Sequence, residues 1–321
     1  MSIKTALTSL LDIEHPILLA PMAGVSGGAL ASAVTNAGGL GVIGGGYGDR
    51  DWLTGELLKA GNTPVGIGFI TWSLQKNPGL LDVALAHRPK AMFLSFGDID
   101  GFAPRIRQAG IPLIAQVQTV AQARKAVADG ADIIVAQGTE AGGHGGGRAT
   151  LPLVPAVVDA VGKQVPVIAA GGIADGRGLA AALMLGASGV LCGSVFYASQ
   201  ESLAHPKSKQ AAIAGSGDNT VRSSVIDVAR EIDWPAQWNI RTLKNTFIDQ
   251  WHGDLDGLRR NVATEMPRYV KARDAGDVDV SAVIVGEAVD LIRRDESGAA
   301  IAQRIVSEAE AHLRHAPQML G

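Results

Sequence analysis

The chain has 321 residues, with 41 glycines, 14 prolines and one cysteine, and its 28 Lys+Arg against 31 Asp+Glu give a formal charge of −3. Glycine at about twice its usual share but without a G-X-Y period excludes collagen, and the single thiol, Cys192, excludes an internal disulfide and a cysteine zinc site and suits a reducing compartment. The near balance of charge leaves no basic footprint for nucleic acid. Lys4 followed by the short apolar Ala6–Leu11 and then Asp12 and Glu14 makes a poor signal peptide, and no apolar run reaches the ~18 residues of a membrane span. A cytoplasmic globular protein is expected.

In chain order the first segments repeat one grammar of short apolar strand, loop, alanine-rich helix, glycine and next strand. Strands are predicted at Ile17–Ala20, Leu40–Ile43, Val65–Ile70, Ala91–Phe96, Pro112–Val117, Asp132–Ala136, Pro166–Ala170 and Gly189–Gly193. The spacing leaves room each time for one crossover helix and two loops. Gly39, Gly61, Gly110, Gly130 and Gly186 stand where left-handed helix caps are needed, and Thr119 reads as an N-cap. Eight such units predict an α/β fold, a (β/α)8 barrel with an eighth helix near residues 206–214 or supplied later in the chain; an open doubly wound sheet is the competing arrangement.

Composition changes near residue 205. Residues 1–205 hold 27 of the 59 charged side chains and 33 of the 41 glycines, so the remainder is far more charged and reads as exposed helices. These are predicted around 222–232, 241–252, 255–272, 281–294 and 297–315. The last one carries Ile301, Ile305, Val306, Ala309 and Leu313 on one face and is expected to dock on the barrel. The expected division is therefore 1–205 plus the C-terminal helix (about 296–321) as barrel, and about 206–295 as a helical lid.

In a barrel of this kind the carboxyl ends of the strands carry the chemistry. After the sixth strand comes Gln137-Gly-Thr-Glu140-Ala-Gly142-Gly143-His144-Gly-Gly-Gly-Arg148. Its glycines should leave the imidazole of His144 uncrowded and backbone N–H groups free to face an anion or a flat ring, and a histidine can exchange a proton near neutrality. The plainer alternative is a flexible loop with a solvated histidine. After the seventh and eighth strands, Ala170-Gly171-Gly172 and Gly193-Ser194 stand where such barrels bind a phosphate, although tight turns also use glycine. After the first strand, Ala20-Pro21-Met22 could underlie a planar ring. Trp72 could wall the pocket and Ser95 could donate to a ligand. His15 should lie at the amino end, His205-Pro206 reads as a turn, and Trp234, Trp238 and Trp251 read as anchors of the added helices. Gly39-Leu-Gly41-Val-Ile-Gly44 imitates a dinucleotide fingerprint but follows a helix. Gly24-Val-Ser26-Gly-Gly28 imitates a hydrolase elbow without the strand geometry or the ordered acid and histidine behind it. No metal motif is present.

Taken together, His15-Pro16-Ile17…Pro21-Met22, Asn36-Ala-Gly-Gly-Leu-Gly41, Glu140-Ala-Gly-Gly-His144-Gly, Pro166-Val-Ile-Ala-Ala-Gly-Gly-Ile-Ala-Asp-Gly176 and Glu201-Ser…His205-Pro206 resemble the nitronate monooxygenase (2-nitropropane dioxygenase) family. The resemblance spans all eight strands and reaches weakly into the tail at Gly276-Asp277 and Gly286-Glu287-Ala288. It implies an FMN-binding barrel with an added helical domain. It further implies phosphate on Gly171, Gly172, Gly193 and Ser194, a flavin ring near Pro21, Met22 and Gln137, a polar contact from Gln116, and His144 in the active site. Many relatives carry Gly-Val-Asn after the third strand, where this chain has Gly66-Ile-Gly68.

The resemblance implies oxidation of an alkyl nitronate or nitroalkane with O2, giving a carbonyl compound and nitrite. His144 would either deprotonate the neutral nitroalkane or, as an imidazolium, bind the nitronate oxygens. Flavin-dependent NAD(P)H:quinone or enoyl-thioester reductases share the Glu-Ala-Gly-Gly-His core and are the alternative reading. A phosphate-metabolite barrel without redox chemistry is the second. The expected partners are small molecules, neither nucleic acid nor membrane, with a homodimer left open.

Overall fold

The computed structural model describes residues 3–320. All eight predicted barrel strands form: β1 (Ile17–Leu19), β2 (Val42–Gly44), β3 (Gly66–Ile70), β4 (Met92–Ser95), β5 (Leu113–Val117), β6 (Ile133–Gln137), and then, after a short extra strand β7 (Gly143–Gly145), β8 (Val167–Ala170) and β9 (Val190–Cys192). Every pairing among the eight is parallel, in the order β1-β9-β8-β6-β5-β4-β3-β2. The bridge Leu18↔Leu40, with Leu19 N–H donating to the Leu40 carbonyl, brings the two ends of that row together. The barrel, rather than the open sheet, is the fold.

Its packing follows from period-two side-chain alternation. Leu18, Val42, Phe93, Ile114, Ile133, Val135, Ile168 and Leu191 fill the interior, while Ile17, Leu19, Ile67, Leu94, Leu113, Ile134, Ala169 and Val190 face the helices. Both faces are thus apolar, which is why the strands read as continuous hydrophobic runs. The segment Ala6–Leu11 is a helix capped by Thr5, and its Leu7 and Leu11 close the amino end of the interior. Truncating either to alanine would cost about 2–5 kcal/mol, the range for fully buried leucine.

Thr119 caps its helix as expected, and Gly61, Gly110, Gly130 and Gly186 take positive φ. The exception is the turn before β2, where Gly38 (φ 92°) supplies the left-handed residue and Gly39 does not. Gly39 is glycine for a different reason: a Cβ there would lie 2.7 Å from the Ile17 carbonyl oxygen.

The C-terminal region is helical, and it carries two strands besides, β10 (Thr220–Ser223) and β11 (Asn239–Leu243), where the predicted helices at 222–232 and 241–252 were to begin. Those helices shrink to Val225–Ala229 and Thr246–Trp251. The 255–272 helix is split into Leu255–Arg260 and Val262–Ala275, and 281–294 retains only the short 3-10 turn Glu287–Leu291. The last helix, Gly298–His315, buries Ile301, Ala302, Ile305, Val306 and Ala309 against the barrel's outer layer. Gly176 lets its backbone approach, since a Cβ there would lie 2.3 Å from Ala309 N. No helix among the described residues is long and apolar enough to cross a membrane.

Candidate active site

The additional strands explain why the tail matters. β11 lies between β10 and β7 in an antiparallel sheet, with Ile240 opposite His144. The loop after β6 is therefore not flexible, and His144 is neither solvated nor uncrowded; it is a buried residue of a strand. Two arginines bind this loop to the tail. Arg222 donates to the carbonyls of Thr139, Ala141, Gly143 and Asn239, and Arg241 donates to Thr139 and Thr220 while pairing with Glu287 at 2.8 Å. Burial, with Arg241 adjoining, pushes the Arg222 guanidinium down to about 10. Glu140 of the same loop accepts from Thr150 N–H and Oγ1–H and so caps the following helix.

The loop's glycines serve mainly close approach. At Gly142 an added Cβ would lie 2.5 Å from the Val285 carbonyl carbon and 2.6 Å from Gly286 N. This contact accounts for Gly286-Glu287-Ala288, the faint tail motif: Gly286 packs against residues 140–142, and Glu287 N–H donates to the Glu140 carbonyl. It also stops residues 281–294 from forming one helix.

Above the carboxyl ends of the strands opens a cavity with about 1310 Å³ of empty space including its mouth. Its walls gather His144 and every residue that the sequence reading set beside a phosphate or a flavin ring. Ala20, Pro21 and Met22 come from the turn after β1, Gly68 from β3, Gln116 from β5 and Gln137 from β6. Gly142, Gly143 and His144 come from the β6 loop, Ala170, Gly171 and Gly172 from the end of β8, and Gly193 and Ser194 from the end of β9. At Gly68 an added Cβ would lie 2.4 Å from Pro21 Cβ, so the asparagine of many relatives could not be accommodated without moving the proline ring. Ser26, in the false hydrolase motif, spends its hydroxyl on the backbone of Met22. Ser95 lines the cavity, its Oγ 3.4 Å from the Phe69 carbonyl that it donates to. His205 caps the helix Pro206–Ile213, and Cys192 is a buried thiol pushed up to about 12 by desolvation.

The cavity wall modifies two expectations. Trp238 anchors the tail to the barrel as expected, through Gln118, but Trp234 does more. Trp234 stacks on the imidazole of His144, with ring centres 3.4 Å apart and planes 10° from parallel, and it lines the cavity. Trp238 Nε1 donates to Gln118 Oε1, Gln118 Nε2 to Gln137 Oε1, and Gln137 Nε2 to the His144 carbonyl, so a run of amides holds the histidine backbone. Trp72, in contrast, stands behind Trp234 at 5.3 Å rather than on the wall.

The residue that sequence reasoning missed is Asp227. It is buried on the helix Val225–Ala229, and both its carboxylate oxygens lie 3.0 Å from His144 Nε2. That contact fixes the tautomer: Nε2–H donates to the carboxylate, and Nδ1, which has no hydrogen-bond partner among the described residues, carries the lone pair. Burial lowers the His144 pKa below its ordinary 6.5; Asp227 opposes this, and the Arg230 and Arg222 charges add to it. His144 is accordingly neutral at pH 7, a base held by a carboxylate and not a standing imidazolium. A run such as Ser224-Val-Ile-Asp227-Val-Ala reads as any amphipathic helix, and its partner lies 83 residues upstream, so sequence offers no local signal.

Comparison with known proteins shows which chains this one resembles. The nitronate monooxygenase family profile matches residues 4–70 and 76–308. A nitronate monooxygenase of Metarhizium robertsii is 36% identical over 342 residues, covering 92% of this chain and 91% of its own length. A dehydrogenase of an octahydroindene carboxyl-CoA from Mycobacterium tuberculosis is 36% identical over 239 residues, covering 71% of this chain but only 65% of its own length. Among solved structures, FabK from Thermotoga maritima superposes with a TM-score of 0.86 at 31% identity over 99% of this chain and 100% of its own. A nitroalkane oxidase from Streptomyces ansochromogenes does so with 0.79 at 28% over 97% and 99%. With the barrel, the Glu140–Gly145 loop and the tail contact at Gly286 all within the matched span, the chain belongs to the nitronate monooxygenase family and is an oxidoreductase.

Proposed function

We propose that this protein is an FMN-dependent nitronate monooxygenase, converting alkyl nitronates or nitroalkanes and O2 to a carbonyl compound and nitrite. The cavity suits a flavin mononucleotide. Its floor is small and flat at Ala20, Pro21, Gly68, Ala170 and Gly193. At Gly171 a Cβ would come 2.9 Å from the Gly138 carbonyl oxygen, and at Gly172 3.3 Å from Glu140 Cβ, and both residues take positive φ, so side chains are excluded there and the backbone is left bare toward the cavity. Ser194 Oγ accepts Gly286 N–H and keeps its own hydrogen to donate. Gly171, Gly172, Gly193 and Ser194 would hold the phosphate, Pro21, Met22 and Gln137 would border the ring, and Gln116 would offer an amide. The bound flavin would accept electrons from the substrate and pass them to O2.

The observation that carries the reading is the free Nδ1 of a neutral, carboxylate-held His144 on the wall of this cavity. In that arrangement Nδ1 takes the proton from the carbon bearing the nitro group. The charge that results is stabilised by Asp227, as in any base oriented by a carboxylate. Trp234 shields one imidazole face and Phe96 its edge, which keeps water from competing for the nitrogen. In this reading residues of about 206–295 form the lid that brings Asp227 and Trp234 down on the β6 loop.

A second reading rests on the octahydroindene-carboxyl-CoA dehydrogenase among the relatives, a protein named for a CoA thioester: an NAD(P)H-dependent reductase of a quinone or enoyl thioester. Anaerobic mixing of the FMN-loaded protein with NADH, NADPH and a nitronate separates the two. Loss of the flavin colour with the nitronate alone supports the monooxygenase; rapid loss with a nicotinamide and none with nitronate supports the reductase.

A further inference from the structure

If His144 is neutral, something else must meet a substrate that arrives as an anion. Among the residues lining the cavity there is no lysine and no carboxylate, and only one side chain carries a permanent charge, Arg230. It follows the helix Val225–Ala229 as its C-terminal cap, three residues after Asp227. The plain account is a cation favoured by the helix end and laid over an aromatic ring, and the guanidinium does lie 5.7 Å from the centre of the Tyr47 ring. That account, even with one guanidinium N–H turned to the Tyr47 hydroxyl, leaves most of its hydrogen-bonding capacity unexplained. Asp227 gives both oxygens to His144, and no ion pair among the described residues uses Arg230. The other inward arginines are spent on the protein: Arg222 on four carbonyls, Arg241 on Glu287 and Thr139, Arg304 on Glu296. A half-buried fork of donors on an otherwise uncharged wall is an anion site.

Its position separates it from the phosphate cradle. Tyr47 follows β2, two strands round the ring from β9 and three from β8, whose ends carry Ser194 and Gly171. On the other side, Tyr47 lies edge-on to Trp234 at 6.3 Å, with its hydroxyl accepting from Trp234 Nε1, and Trp234 is the ring stacked on His144. The guanidinium therefore stands at the histidine end of the cavity.

We infer that Arg230 is the specificity residue for the anionic form of the substrate, pairing its guanidinium with the two geminal oxygens of a nitronate, while the Asp227–His144 pair serves the neutral nitroalkane. A nitronate presents two oxygens in one plane with a shared charge, as a carboxylate does, and this is the geometry a guanidinium engages through two parallel hydrogen bonds. A neutral nitroalkane offers the same oxygens with little charge and gains less. The wall thus carries two devices, one for each protonation state. This assignment rests on the nitronate reading for its substrate but not for the anion site itself.

Two measurements keep those apart. Calorimetric titration of the FMN-loaded protein with propionate, a carboxylate stand-in for the nitronate, should show binding that weakens about tenfold or more in Arg230→Met and less in Arg230→Lys, as loss of a charged hydrogen-bonded pair predicts. Steady-state kinetics with preformed propyl-2-nitronate and with neutral 2-nitropropane should show KM rising for the nitronate in Arg230→Met while KM for the nitroalkane changes little, its kcat falling because the nitronate it forms meets the same arginine. Should Arg230→Met fail to fold, Arg230→Gln gives the same comparison. Propionate that binds the variant as tightly as the parent, or fails to bind the parent, overturns the anion site. Equal rises in KM for the two substrates overturn the specificity role. Weaker propionate binding in a protein that turns over neither nitro compound retains the anion site and rejects the nitronate reading.

Discussion

The barrel and the tail contribute to the cavity in opposite ways. From the strand ends come Ala20, Pro21, Gly68, Ala170, Gly171 and Gly193, residues whose value lies in small size and an exposed backbone. From the tail come Arg230 and Trp234 on the wall and Asp227 behind His144, side chains bearing charge or a broad aromatic face. The barrel makes space, and the tail makes that space chemically particular. His144 belongs to both: it stands on a barrel loop, yet it is held by a strand, a carboxylate and an indole of the tail.

If that contrast is right, damage to the tail's chemistry should leave cofactor binding intact, and damage to the floor should not. The largest effect is expected at the shared residue. His144→Ala should retain FMN yet lose about 10³-fold or more of its turnover of neutral nitroalkane, within the range for removing a general base. Unchanged turnover would remove His144 from the mechanism. Next, Asp227→Asn should cost about 10²-fold on the neutral nitroalkane, because an amide neither fixes the tautomer nor stabilises the charged imidazole; preformed nitronate should be affected much less.

The pH profile sharpens the same point. With its folded pKa below the ordinary 6.5, His144 is active as a base above that folded value, so turnover of the neutral substrate should fall as pH drops through it. Stability follows the same sign: the unfolded chain takes up the proton first, so the fold loses stability as pH falls below about 6.5. Thermal melts from pH 8 to 5 should show this loss lessened in His144→Gln.

Smaller effects test the junction of the two regions. Gly142→Ala would push against Val285 and Gly286 and should destabilise by about 1–3 kcal/mol, the cost of overpacking, with activity falling because the tail is displaced from His144. Removing the Thr5 cap, at the amino end of the barrel away from the cavity, should cost about 1 kcal/mol in denaturant melts and leave activity untouched.

The two regions also differ in how plainly the sequence announces them. Barrel strands such as Ile133–Gln137 are buried on both faces and bounded by glycine, so composition alone marks them. The residues at their ends were legible because a closed barrel dictates where loops converge. β7 is Gly-His-Gly, with no strand-forming side chain, and becomes a strand only because β11 lies beside it. β10 and β11 carry Arg222 and Arg241, which look solvent-facing until the carbonyls of residues 139–143 are placed near them. Asp227 and Trp234 gain their meaning from His144, a partner more than eighty residues away. Local pattern cannot encode a pairing made by topology.

The most direct test of the account is the primary deuterium isotope effect on oxidation of 2-nitropropane labelled at the carbon bearing the nitro group. Removal of that proton by a His144 that Asp227 holds predicts an effect well above unity with the labelled nitroalkane, one that persists in Asp227→Asn as turnover falls. It predicts none with the preformed nitronate. An effect of unity on the neutral substrate, with Asp227→Asn as fast as the parent, would contradict it.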